Sequence, residues 1–165
     1  MKIKALLLLI MILIGSPAGA EIKLGYPPKQ KGIALGLFAK DPNYSYYNDL
    51  VEIKKYGITH IMLVVSWYQH DISSTELKPM QDEKLDAVTT PDSKLIEVIA
   101  QANQLGIRTF LFPIIRINHR KTGEWRGVLK PSDLNVWFAS YANFILHYAQ
   151  IAAANKVEML LVGSE

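Results

Sequence analysis

Three times along this chain a helical pattern ends on a residue tolerant of left-handed backbone and passes at once into a β-rich run. The exits are Gly57-Ile58, Gly106-Ile107 and Asn155-Lys156-Val157. Glycine, and less readily asparagine, takes positive φ at small cost, so each exit is a helix stop followed by a strand start. A stop of this kind that recurs three times marks a βα repeat, and apolar strands alternating with helices imply a parallel sheet. The fold class is therefore α/β. A doubly wound sheet and a β/α barrel both satisfy the pattern. No Gly-x-Gly-x-x-Gly or Walker A sequence follows any of the strands, which takes weight from a nucleotide-binding version.

Four strands and three helices are expected. Residues 32–39 are a short apolar run and form the first strand. Tyr46, Leu50, Ile53 and Gly57 follow at helical spacing, with Asn43 or Ser45 as N-cap. Residues 60–67 contain the run IMLVVSW, which suits a strand buried on both faces. A second helix opens at Pro91-Asp92-Ser93 and sets Leu95, Val98, Ile99 and Ala102 on one face. The third strand is 109–115. The third helix starts near Ser132-Asp133 and aligns Trp137, Tyr141, Phe144, Ile145 and Tyr148, with Trp137 and Tyr141 read as core. The fourth strand is 158–162.

The first 20 residues have the order of a secretory signal. Lys2 and Lys4 precede an unbroken apolar run over 5–14, and Ala18-Gly19-Ala20 supplies the small-residue cleavage signature. Such a run is too short to span a bilayer, which takes about 20 residues. Cleavage is expected after Ala20, giving a secreted or periplasmic chain with no membrane span. Residues 21–30 are then a lead-in containing Tyr26, Pro27 and Pro28, and 31–165 are the folded domain. The absence of cysteine is compatible with an oxidising compartment. Without Lys2 and Lys4 the chain has 16 basic against 15 acidic residues, so no basic surface for nucleic acid is indicated. Its 165 residues suit one domain but fall short of the roughly 250 typical of a closed (β/α)8 barrel.

In either parallel architecture the chemistry gathers beyond the carboxyl ends of the strands. Those ends deliver Phe38 and Lys40, then Ser66 to His70, then Arg116, Asn118 and His119, and finally Ser164 and Glu165. The connections 69–90 and 118–131, the second carrying Trp125, exceed the about two to six residues usual for a βα loop. Aromatic faces stack on sugar C–H surfaces and carboxylates do acid and base work on a glycosidic bond, so this rim suits a carbohydrate. The candidate substrate-binding residues are Trp67, Tyr68, Arg116, Asn118, Trp125, Arg126 and Ser164. Trp67 continues an apolar run and serves sheet core equally well, and Arg126 braces its loop as readily as it touches substrate. His70, His119 and Asp71 lack metal-ligand spacing, so neither metal nor cofactor is implied.

The run TTPDSKLIEVIAQANQLGIRTFLFPII, then GEWRG, then WFASYANFILHYAQIA and VEMLLVGSE resembles the first half of a clan-A glycoside hydrolase, specifically the mannanase-like family 113. The resemblance runs over about residues 31–165. Its most specific parts are Trp125-Arg126-Gly127, Trp137 with Tyr141, and Gly163-Ser164-Glu165. It implies the N-terminal half of a TIM (β/α)8 barrel, truncated after strand four. It implies that Glu165, ending that strand, is the general acid/base, while the nucleophilic Glu of such enzymes lies on strand seven and is missing here. Ser164 stands where many clan-A members have an Asn that donates to the sugar 2-hydroxyl.

The activity implied by this resemblance is retaining hydrolysis of a β-linked, mannan-like polysaccharide. Glu165 would protonate the leaving oxygen, and a second carboxylate about 5–5.5 Å away would attack the anomeric carbon. Without that nucleophile the chain alone is expected to be inactive. Its expected partners are a polysaccharide or oligosaccharide and, because four strands leave open edges, a second half-barrel or another copy of itself. Two other classes fit the same rim: an exported non-catalytic carbohydrate-binding or cell-envelope interaction protein, and a fragment of a split or truncated gene.

Overall fold

The computed structural model describes residues 29–41, 43–82 and 87–163. The signal segment with its cleavage point after Ala20, most of the lead-in, and Ser164 and Glu165 lie outside the described residues. The elements in chain order are β1 (Gly32–Gly36), α1 (Tyr47–Lys55), β2 (His60–Gln69), β3 (Gln81–Asp82), β4 (Ala87–Val88), α2 (Asp92–Gln104), β5 (Arg108–Ile117), α3 (Leu134–Ala154) and β6 (Met159–Leu160), with a 3-10 turn at Arg126–Val128. Strands β1, β2, β5 and β6 form one parallel sheet in that order, and β3 pairs with β4 as a small antiparallel hairpin.

The strand order decides between the two architectures. A doubly wound sheet reverses direction at a switch point, whereas a barrel lays successive parallel strands side by side. Here the order follows the chain without reversal, so the protein is a parallel β/α repeat forming part of a (β/α) barrel.

The repeat rests on the helix exits. Gly57 and Gly106 have φ of 70° and 67°. At the third exit the left-handed residue is Lys156, with φ 60°, while Asn155 stays at −119°. The Asn155 side chain instead donates to the Ile151 carbonyl at 2.8 Å, which satisfies one orphan acceptor of the helix end and moves the turn one residue on. Ile107 and Val157 close their exits alike, each donating its N–H to a carbonyl five residues back, Ala102 at 2.9 Å and Ala152 at 3.2 Å. Gly106→Ala is therefore expected to cost about 1–2 kcal/mol in urea denaturation. Lys156→Gly relieves the same strain, partly offset by the freer unfolded chain. An unchanged midpoint for Gly106→Ala would show that the exit is not set by backbone conformation.

Alternation along the strands divides the sheet into two faces. Ile61, Leu63 and Val65 of β2 and Leu111 and Ile115 of β5 are buried with Leu50 of α1, Leu95, Val98, Ile99 and Ala102 of α2, and Phe144, Tyr148 and Ile151 of α3. The helices thus share one face, and each fully buried aliphatic side chain there contributes about 1.5–3 kcal/mol. The other face carries Met62, Val64, Phe110, Phe112 and Ile114, each partly open.

Several boundaries differ from those expected. Strand β1 ends at Gly36, after which Leu37 still donates to the Val64 carbonyl at 2.9 Å. Helix α1 is not capped by Asn43, whereas the Ser45 hydroxyl accepts from the Tyr47 N–H of its first turn at 3.4 Å. Tyr46 holds the cap position, buried, with its hydroxyl accepting from the Ala39 N–H at 3.0 Å, while Asn43 turns back onto Asp41. Strands β2 and β5 run to Gln69 and Ile117, beyond the expected 67 and 115. Asp133 does cap α3, accepting from the N–H groups of Asn135 and Val136 at 2.9 and 3.1 Å. The connection 69–90 holds the β3–β4 hairpin in place of open loop. Strand β6 is only Met159–Leu160, although Glu158 and Leu161 continue its bonding to Thr109 and Leu111. Among the described residues, no helix is long and apolar enough to cross a membrane.

Candidate functional site

Tyr68 and Arg116 are register partners at the carboxyl ends of β2 and β5, and both project on the face away from the helices. Phe38, just past β1, reaches the same place. The Arg116 guanidinium lies 5.6 Å from the Phe38 ring centre and 5.6 Å from that of Tyr68, and its Nη1 donates to the Tyr68 hydroxyl at 3.3 Å. Two aromatic faces and one phenol oxygen fix this cation in orientation. Gly36 has a part in this. A Cβ there would overlap the Phe38 ring, so only glycine lets the ring lie back along the strand.

Tyr68 is 2% exposed, and its hydroxyl is engaged by the hairpin. It accepts from the Val88 N–H at 2.9 Å and donates to the Val88 carbonyl at 3.1 Å. Its backbone exchanges two hydrogen bonds with Lys78, which takes the place beside β2 that β1 has left. Thr89 donates to the Ser66 carbonyl at 2.8 Å, and Thr90 to the Leu37 carbonyl. The hairpin is thereby bound to the strand ends and forms one wall of the mouth.

The second wall is the loop after β5. Asn118 and His119 prolong the pairing by donating their N–H groups to the carbonyls of Gln69 and His70 at 3.0 and 2.8 Å. The Asn118 amide lies 2.9 Å from the Met80 sulfur, next to the hairpin. Asp71 accepts from the hydroxyls of Ser73 and Ser74 at 2.8 and 2.9 Å, and these bonds bring its carboxyl down to about 2. The turn they tie is held above the ordinary carboxylate range and is released only as pH falls toward that value.

Two adjoining cavities open here. One, of about 370 Å³, is lined by Arg116, Arg120, Arg126, Trp125 and three isoleucines of β5. The other, of about 280 Å³, lies between β5 and α3 and is lined by Arg126, Trp137, Phe138, Tyr141 and Gly163 among others. Trp125 is 49% exposed. Its ring folds over Gly127, where a Cβ would overlap Cη2, Cζ2 and Cζ3. Tyr141 donates to the Val162 carbonyl at 2.5 Å, tying α3 to the segment that leads to Glu165.

Of the sequence candidates, Arg116, Trp125 and Arg126 meet at the larger cavity. Tyr68 touches it only through its bond to Arg116, and Asn118 lines a separate cavity with Asp71, His119 and Arg120. Trp67 lies on the opposite face, with its ring 5.4 Å from Phe144, 5.3 Å from His147 and 6.3 Å from Tyr148. Trp137 and Tyr141 stack at 5.1 Å against the core, as expected. Sequence reasoning placed Gln69 at a strand end without singling it out as this fully buried polar side chain closing β2. It accepts from the Trp137 indole at 2.9 Å and donates to the Asp71 carbonyl at 2.6 Å, joining helix, strand and loop. Sequence reasoning also passed over Arg120 and named Phe38 only as a strand-end residue, and both belong to the mouth. The run Arg116 to Lys121, cationic at 116, 120 and 121, was the available signal for Arg120.

A profile of Glycoside Hydrolase Family 113 matches residues 36–165. Among solved structures, a complex of a GH113 β-1,4-mannanase is 25% identical with a TM-score of 0.69, over 82% of this chain and 45% of that one. A further GH113 β-1,4-mannanase structure is 23% identical with a TM-score of 0.66, over the same shares. A GH113 β-mannanase from Alicyclobacillus acidocaldarius in complex with ManMIm is 20% identical with a TM-score of 0.67, over 81% and 44%. This chain spans less than half the length of those enzymes. No match is found among curated proteins.

Proposed function

Because this chain belongs to Glycoside Hydrolase Family 113, we propose that it supplies the acid/base half of a site for retaining hydrolysis of a β-linked, mannan-like polysaccharide. Glu165 protonates the departing glycosidic oxygen and later activates water, and the Ser164 hydroxyl donates to the sugar 2-hydroxyl. Trp125 offers an aromatic face to a sugar ring, and the loop after β5 holds it at the mouth. The observation that carries this reading is the gathering of Phe38, Arg116, Trp125 and Arg126 at the carboxyl strand ends, with Gly163, two residues before Glu165, lining the adjoining cavity. The protein is exported, and material recovered outside a bacterial host is expected to begin at Glu21. An intact Met1 on intracellular protein would refute export.

A chimera in which residues 31–165 replace the matching segment of a solved GH113 mannanase tests the function. Sugar release from β-1,4-mannan with the anomeric configuration retained in the first product is the expected result. A folded chimera that binds no manno-oligosaccharide would sink the proposal. A second reading, carbohydrate binding without catalysis, is favoured by one observation. No Asp or Glu is among the described residues that line the two cavities. Binding without sugar release would select it.

The Trp125 face has its own test. Aromatic contacts of this kind contribute about 0.5–1.5 kcal/mol, so Trp125→Ala is expected to weaken oligosaccharide binding about two- to twelvefold. The ring is half exposed, so the melting temperature should change little. Gly127→Ala should produce much of the same loss by pushing the ring aside. A large fall in melting temperature with unchanged binding would assign Trp125 to packing.

A further inference from the structure

We propose that the larger cavity is a subsite for a negatively charged sugar, so that the polysaccharide recognised carries uronic acid units. This rests on the carbohydrate reading above and goes further, because neutral mannan needs no cation there.

Three arginines, Arg116, Arg120 and Arg126, line one cavity of about 370 Å³ and no carboxylate residue lines it with them. Some charges elsewhere are paired. Arg108 meets Glu158 at 3.0 Å, Lys94 meets Glu97 at 2.8 Å, and Lys78 meets Glu76 at 3.0 Å. Among the described residues, none of the three cavity arginines has an ion-pair partner. Like charges facing one space repel, and an anion bound between them removes that repulsion.

Arg116 is preorganised for the task. Phe38 and Tyr68 hold its plane, and one Nη is tied to the Tyr68 hydroxyl, so little freedom is lost on binding. A planar guanidinium matches a carboxylate through two parallel hydrogen bonds. Trp125 lines the same space with a half-exposed ring. An aromatic face beside a cation cluster fits a pyranose bearing a carboxylate better than a bare ion.

The test compares three probes on the full chain and on the chimera: neutral mannotriose, the same oligosaccharide carrying one glucuronic acid, and inorganic phosphate. The acidic oligosaccharide is expected to bind at least tenfold tighter than the neutral one at low salt, with the advantage shrinking as salt rises. Arg120→Gln, an exposed change, should remove most of that advantage, lowering acidic affinity far more than mannotriose affinity. Arg116→Lys, which keeps the charge but not the fork, should lower the ratio of acidic to neutral affinity several-fold. Equal affinity for acidic and neutral oligosaccharides would overturn the subsite and leave the mannanase-like reading standing. Phosphate binding as tight as the acidic sugar would reduce the cavity to a general anion site and also overturn it. Binding of neither oligosaccharide, to either protein, would remove the carbohydrate reading itself.

Discussion

Glu165→Gln, introduced into the chimera with a solved GH113 mannanase, is expected to lower the rate of mannan hydrolysis by about 10²- to 10⁴-fold with binding largely intact. The amide has nearly the size and hydrogen-bonding reach of the carboxylic acid, so the ground state is little disturbed. What it lacks is a proton to give to the glycosidic oxygen as the bond to the anomeric carbon breaks. The effect should depend on the leaving group. A sugar alkoxide needs that proton, whereas an activated aryl group departs with little help, so glycosylation from aryl glycosides should fall much less. The second step, in which the same residue activates water, should still be slowed, and an early burst of aryl alcohol would report it. Equal and negligible losses on both substrates would show that the carboxylate at this position is not the acid/base.

The alternation of helix and buried strand was legible because each link of it is local. Gly57 and Gly106 are needed for their positive φ, the runs around Leu63 and Leu111 for their burial, and Leu95 to Ala102 for their helical spacing. Barrel order was not legible from composition or periodicity. It depends on which strands pair, and the residues alone allowed a doubly wound sheet as readily as a barrel. The resemblance favoured the barrel, and the chain-order pairing of β1, β2, β5 and β6 bears it out. At the mouth, the sequence pointed to Arg116, Trp125 and Arg126 because they follow strands, but it did not distinguish Trp67 from them. Adjacent residues on a strand face opposite ways, and register alone decides that Tyr68 faces the mouth while Trp67 faces α3. Gln69 was placed at a strand end, but its role was not legible, for a similar reason. A buried amide carries no sequence mark of the indole and carbonyl it joins until the helix is seen beside it.

Residues 21–165 expressed by themselves are expected to release no sugar from mannan and to self-associate. Retaining hydrolysis needs a second carboxylate about 5–5.5 Å from the acid/base. No Asp or Glu is among the described residues lining either cavity. The physical case for association is separate. Among the described residues strand β6 pairs on one side only, through two residues, and Met159 within it and Val162 just beyond it are 51% and 62% exposed. Strand β1 is likewise an edge, and unpaired backbone edges are templates for pairing with another chain. The sheet face away from the helices leaves Met62, Val64, Phe110, Phe112 and Ile114 partly open to water. On α3, Leu134, Phe138, Ala142 and Leu146 recur every fourth residue and all are exposed, a stripe shaped for another helix. Two edges, an open apolar sheet face and an apolar helix stripe together exceed what a small monomer ordinarily presents to solvent. Light scattering should therefore report species larger than one chain. Joining the segment to the remaining strands of a family enzyme should restore a monomer. A monodisperse single chain of residues 21–165 that hydrolyses mannan would mean that these surfaces are covered, and a second carboxylate supplied, by residues within the segment itself.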